Sequence, residues 1–212
     1  MPRRPGPVAI FAPPLAAALL TACAHSAAPS SSTPAQESAA MSPPEAAAPA
    51  GQPTLTAEQA LARLLELIRT TESVREFTPE RLESGFGLPV WHGQGGRYGV
   101  GEQVTADWRY TAEFYTSPLD GIQFHLTFYP VVPGSFPDMT GICGLDFERF
   151  SAALEGMGFS NQPGYGEHGR LMSHIFDRPG MRVEVFPEGE WIWTEERGGG
   201  RACVKMVVIS PR

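Results

Sequence analysis

From Thr54 onward the chain switches between helical and strand-like spacing of its apolar residues. In TLTAEQALARLLELIRTT, Leu61, Leu64, Leu65 and Ile68 recur every three or four positions. That spacing gathers them on one side of a helix and leaves Arg63, Glu66 and Arg69 on the wet side. Thr56 and Gln59 stand in capping-box spacing at its start, where each can satisfy a backbone N–H that the helix leaves unpaired. A second, short helix is predicted in FTPERLESGFGLP, with Thr78 as N-cap, Pro79 at the first helical position and Gly85 or Gly87 as its end. A third is predicted in LDFERFSAALEGMGF, capped by Asp146, turning Phe147, Phe150 and Leu154 inward and stopping at Gly156 or Gly158.

Strict alternation marks the strands. GIQFHLTFYP puts Ile122, Phe124, Leu126 and Phe128 on one face and Gln123, His125 and Thr127 on the other. DWRYTAEFYTS precedes it across Pro118 to Gly121, and RLMSHIFDR and MRVEVFP meet at Pro179-Gly180. The last stretch, WIWTEE-RGGG-RACVKMVVIS, is predicted as a hairpin. Helices two and three both run N-cap, any residue, Glu, Arg, large apolar, and then a glycine pair flanking one apolar residue. Each is followed by a glycine-rich loop, WHGQGGRYGVGEQ or NQPGYGEHG, and by a hairpin. The expectation is an α+β domain whose antiparallel sheet is built from two helix-plus-hairpin units, about 77–140 and 145–187, and a C-terminal hairpin, with the helices packed on one face. Capped helices and glycine stops are common, and chance accounts for part of the match.

Ahead of this domain the chain has another character. Arg3 and Arg4 lead into a mostly apolar run from Val8 to Leu20, the layout of an export signal. The run is shorter than the roughly 20 apolar residues of a spanning helix and contains Pro13 and Pro14. Leu20, Thr21, Ala22 and Cys23 resemble a bacterial lipobox, in which the cysteine is acylated and becomes the first mature residue; an ordinary secretory signal is the alternative. The resemblance implies a lipoprotein with signal peptide 1–22 and fatty acyl chains (palmitate among them) on Cys23. The small neutral Ala24 implies the periplasmic face of the outer membrane. At about 0.8 kcal/mol per buried methylene, several acyl chains anchor a soluble domain without a protein span. Residues 23–53 are nearly all Ala, Pro, Ser, Thr and Gln with Glu37 and Glu45 the only charges, a composition expected to form a disordered tether. Residues 54–212 are enough for a single periplasmic domain.

With Cys23 lipidated, Cys143 and Cys203 remain. Outside the cytoplasm they are a candidate disulfide, and two separate buried thiols are the alternative. Acids outnumber bases, 23 Asp+Glu against 16 Lys+Arg, for a net charge of -7. That balance argues against nucleic acid as a partner, since phosphate binding needs a basic face. Glu184, Glu188, Glu190, Glu195 and Glu196 crowd one region, either as a solvated edge or as a docking surface for a basic partner.

Chemistry leaves little trace. There is no HExxH, no close His/carboxylate ligand pair and no GxSxG elbow, so neither metal nor cofactor nor a catalytic residue is expected. His125 and His174 read as structural histidines, and GQGGRYGVG lacks the Lys-Ser/Thr of a phosphate loop. Residue types that anchor interfaces are better represented. Trp91, His92, Arg97 and Tyr98 share one glycine-rich stretch, and Trp191 and Trp193 follow Glu188 and Glu190. The second tryptophan pair either fills the core or faces a partner.

The lipobox, tether and helix-plus-sheet units over roughly Phe77 to Phe186 resemble two groups of envelope proteins in architecture. One is the small helix-plus-sheet lipoproteins and beta-lactamase-inhibitor-like domains, which use tandem units and a concave sheet to grip other proteins. The other is the immunity lipoproteins that neutralise toxins delivered by contact-dependent secretion systems. These resemblances imply a non-enzymatic, protein-binding lipoprotein, most concretely an immunity protein acting as a toxin inhibitor. The rivals are a subunit of an envelope assembly or secretion machine and an envelope hydrolase.

Overall fold

The computed structural model describes residues 54–119, 121–189 and 201–212. Cys23, the signal, the tether, Glu190, Trp191 and Trp193 lie outside the described residues, as does the first strand expected in the last hairpin.

Helix α1 (Ala57–Arg69) begins where its capping box predicts: Thr56 Oγ1 accepts from the Gln59 N–H at 3.2 Å, and the Thr56 N–H donates to Gln59 Oε1 at 2.8 Å. Its apolar stripe, Ala60, Leu61, Leu64 and Ile68, is fully buried, each leucine or isoleucine contributing about 1.5–3 kcal/mol of transfer free energy. Just before it, the Thr54 and Leu55 N–H groups each donate to the Glu102 carboxylate at 2.8 Å, pinning the entry of the chain into the domain. At the other end the Arg178 guanidinium donates to Ile68 O at 2.7 Å, a carbonyl that the helix leaves open, and to Thr71 O at 2.5 Å just beyond the C-cap. Helix α2 (Pro79–Phe86) carries Thr78 as N-cap and Pro79 in its first turn and ends on left-handed Gly87. Helix α3 (Phe147–Gly156) is capped by Asp146, which accepts from the Arg149 N–H at 2.9 Å.

The strands are β1 (Trp91–His92), β2 (Tyr98–Gln103), β3 (Trp108–Ser117), β4 (Gly121–Pro130), β5 (Ser160–Tyr165), β6 (Leu171–Arg178), β7 (Met181–Glu188) and β8 (Cys203–Ser210). They form one eight-stranded antiparallel sheet in the order β1-β2-β3-β4-β8-β7-β6-β5. The α+β class and antiparallel sheet are as the sequence predicts, with two differences. The glycine-rich stretches are not plain loops, because each contains strand residues around one tight turn, Gln94–Gly96 or Glu167–Gly169. And β8, expected to pair within its own hairpin, lies between β4 and β7.

This placement gives the sheet two halves of one design. Helix α2 precedes β1 to β4, helix α3 precedes β5 to β8, and the two innermost strands meet antiparallel along Phe124–Thr127 and Met206–Ile209. The strand order is that of an approximate twofold axis through this seam. In this strand order β8 occupies the place beside the seam that matches that of β4. Register makes the core side explicit. Tyr98, Phe114 and Phe124 align across the first half, and Ile209, Val183 and Phe176 continue the row. Phe86 of α2 lies 6.3 Å from the Tyr110 ring, and Phe147 of α3 packs on His174 at 4.6 Å, so α2 and α3 approach the same face, where Phe77 also meets Phe124 edge-on at 5.0 Å. The core between helices and sheet holds Leu82, Phe86, Tyr110, Phe128, Phe150 and Leu154.

Cys143 and Cys203 form a disulfide with a Cα–Cα distance of 4.7 Å. Both are buried. The bond ties the turn Met139–Ile142, which follows the first half, to the start of β8.

Candidate protein-binding face

The face of the sheet turned away from the helices carries the other set of alternating residues. In the first half these are Arg109, Glu113 and Tyr115 on β3 and Gln123, His125 and Tyr129 on β4. They form a hydrogen-bonded array. The Tyr115 hydroxyl donates to Gln123 Oε1 at 2.7 Å, and His125 Nε2 lies 2.9 Å from that oxygen and 3.1 Å from the hydroxyl. The Tyr115 and His125 rings meet edge-on at 4.8 Å. Glu113 sits opposite His125 in the register, and the exposed Arg97 donates to Glu113 Oε2 at 2.6 Å. That hydrogen bond, with the carboxylate charge, raises the Arg97 pKa above its ordinary value. In the second half the same face carries Asp177, which accepts two bonds from Arg182 at 2.9 and 3.0 Å, and Glu184, which accepts from Ser173.

Trp91 reaches this face because its neighbour across the ladder has no side chain. A Cβ on Gly99 would lie 2.5 Å from Ala112 O and 2.8 Å from the Trp91 ring, so only glycine leaves room for the indole beside β2. His92 is exposed, 6.3 Å from the Tyr98 ring, and its charge is among the influences that lower the Glu80 pKa, after the Glu80 backbone N–H and the Thr78 hydroxyl. Tyr98 points the other way. Its hydroxyl donates to Phe77 O at 2.8 Å and its ring stacks on Phe114 at 4.9 Å, so it belongs to the helix side. Burial pushes its phenol pKa up. Glu188 is on the other half, pairing with Lys205 at 3.8 Å; Lys205 itself lies 4.4 Å over the Trp108 ring. The structure therefore brings Trp91 and Arg97 together with Glu113, Tyr115, Gln123 and His125, and keeps Tyr98 and Glu188 apart from them.

The two halves also share a loop. Gly93-Gln94-Gly95-Gly96-Arg97 and Gly166-Glu167-His168-Gly169-Arg170 both close with the first glycine's N–H donating to the arginine carbonyl at 2.8 Å. The central residue is left-handed in each, Gly95 at φ 69° and His168 at φ 59°. Glycine occupies this region freely, whereas histidine does so at a cost. The loops lie at opposite edges of the sheet, roughly 30 Å apart at about 4.8 Å per strand. The common pattern Gly-(Gln/Glu)-X-Gly-Arg is visible in the sequence once the two stretches are aligned on their arginines.

Among the described residues no group of His, Cys, Asp and Glu is arranged to hold a metal ion, and no helix is long and apolar enough to cross a membrane. No protein-family model matches the chain, and no curated protein or solved structure matches it.

Proposed function

We propose that this chain is a lipid-anchored protein of the outer membrane whose periplasmic domain binds another protein, in its most concrete form an immunity protein that inhibits an incoming antibacterial toxin. The observation that carries the reading is the face opposite the helices. An ordered array of Trp91, Arg97, Glu113, Tyr115, Gln123 and His125 lies there, rich in the Trp, Tyr and Arg that dominate binding hot spots. The lipobox around Cys23 and the Cys143–Cys203 cystine support an envelope location, since such bonds persist in oxidising compartments. The tether would give the domain a reach of some tens of ångströms from its anchor.

The test is co-purification with the product of the adjacent gene, followed by calorimetry. A toxin-like neighbour should bind with sub-micromolar affinity, and Arg97→Ala should weaken it about tenfold, the equivalent of ~1.4 kcal/mol. If the neighbour binds no tighter than a control protein, and cells lacking this gene withstand it as well as the parent strain, immunity is wrong.

A further inference from the structure

Exposed apolar side chains scattered singly over a surface need no explanation. Among the described residues Phe136 differs, because it is 97% exposed and yet held in a rigid frame. Just before it, Val132-Pro133-Gly134-Ser135 closes with the Ser135 N–H donating to Val132 O at 3.2 Å, with Gly134 at φ 78°. Proline followed by a left-handed glycine makes this a type II turn. The Ser135 hydroxyl donates to the same carbonyl at 2.7 Å. Pro137 fixes the backbone immediately after the ring. The segment is then pinned at three points: the Val131 N–H donates to Asp107 O at 2.8 Å, the Trp108 indole N–H donates to Asp138 O at 2.9 Å, and the disulfide holds Cys143. Val132, in the same turn, is 64% exposed.

A phenyl ring presented this way has already lost much of the freedom that binding would otherwise remove. We propose that Phe136, flanked by Val132, is a preformed plug that seats in an apolar pocket on a partner protein. The inference rests on the protein-binding function proposed above and names a second contact for it, outside the sheet face. The surroundings favour a protein pocket over a lipid surface. From Val131 to Gly141 the only charged residue is Asp138, and Asp107 stands beside Val131. Of the two cations nearest in the strand register, Lys205 is laid over Trp108 and paired with Glu188, and Arg109 stands on the sheet face turned away from the helices. Segments that settle on anionic membranes carry free Lys and Arg around their apolar residues.

The experiment places the photo-crosslinking amino acid benzoylphenylalanine at position 136 of the full lipidated chain in the native envelope, and separately measures Phe136→Ala against the purified neighbour protein. Leu119→Ala is the control, since Leu119 is 94% exposed at the β3–β4 tip. The expected result is a crosslink to that neighbour and a loss of affinity of about tenfold or more for Phe136→Ala, with Leu119→Ala unchanged and both variants melting like the parent. Binding of the neighbour that Phe136→Ala leaves within about twofold would overturn the plug while leaving the binding function standing. Crosslinks to lipid alone, or none, would also overturn it. A neighbour that fails to bind the parent chain refutes both together.

Discussion

The Cys143–Cys203 bond closes a loop of 60 residues, reaching from the turn after β4, through α3 and β5 to β7, to the first residue of β8. Loop closure of that length removes about 4 kcal/mol of chain entropy from the unfolded state. The bond also sits beside the seam, where among the described residues the halves pair along Phe124–Thr127 and Met206–Ile209, a shorter ladder than that of β3 and β4 from Trp108–Pro130 to Ser117–Gly121. Replacing both cysteines by serine should therefore lower stability by about 4 kcal/mol. For a domain of this size each kcal/mol moves the melting temperature by about 2–4 °C, which makes the expected drop about 10 °C. Both sulfurs are buried, so reductant alone should act slowly, and thermal melts by circular dichroism are best run on the double variant with reduced parent protein as a check. Hydrogen exchange should show faster exchange in β8 than in β3. A double variant that melts within about 2 °C of the parent, or one whose β8 amides stay fully protected, would refute the idea that this bond holds the seam.

Three further outcomes are expected. Tyr110 buries a hydroxyl with no partner among the described residues, and burial pushes its pKa up; Tyr110→Phe should raise stability by about 1 kcal/mol in denaturant titration, and a loss would point to a bridging water. His168→Gly should relieve the left-handed strain and raise the melting temperature by about 3 °C, as expected for ~1 kcal/mol in a domain this size, whereas Gly95→Ala in the matching loop should lower it. Asp177 is buried and accepts two bonds from Arg182, which holds its carboxyl below the usual aspartate range. Its stabilisation is complete above the unfolded pKa near 3.9 and fades as pH falls through the lower folded value. Asp177→Asn should cost about 2 kcal/mol at neutral pH, and the gap to the parent should close in acid.

Much of the fold was readable because its signals are local. Thr56, Thr78 and Asp146 start helices where their side chains reach backbone N–H groups, and the alternation of Ile122 to Phe128 assigns one face of β4 without reference to any partner. The remainder depends on pairing. Strand β5 contains Pro163 and reads as a loop, yet an edge strand tolerates a proline because one side of it needs no ladder hydrogen bond. Tyr98 has the composition of an interface anchor, but its parity against Phe114 turns it to the helices, and parity is fixed only once register is known. The Tyr115–Gln123–His125 array was invisible for the same reason. Strand β8 between β4 and β7 is the extreme case, because no neighbour in sequence announces either partner.

Of the eight described strands, β8, the last of them in chain order, lies in the middle of the sheet. Until it emerges, β4 and β7 each offer a bare inner edge, so a chain halted before Cys203 has two sticky borders in place of one seam. Vectorial folding from the N-terminus can pair β1 to β4 early but cannot join the two halves before β8 is made. For a chain exported as proposed above, the two halves of the sheet can join only once β8 has arrived on the far side.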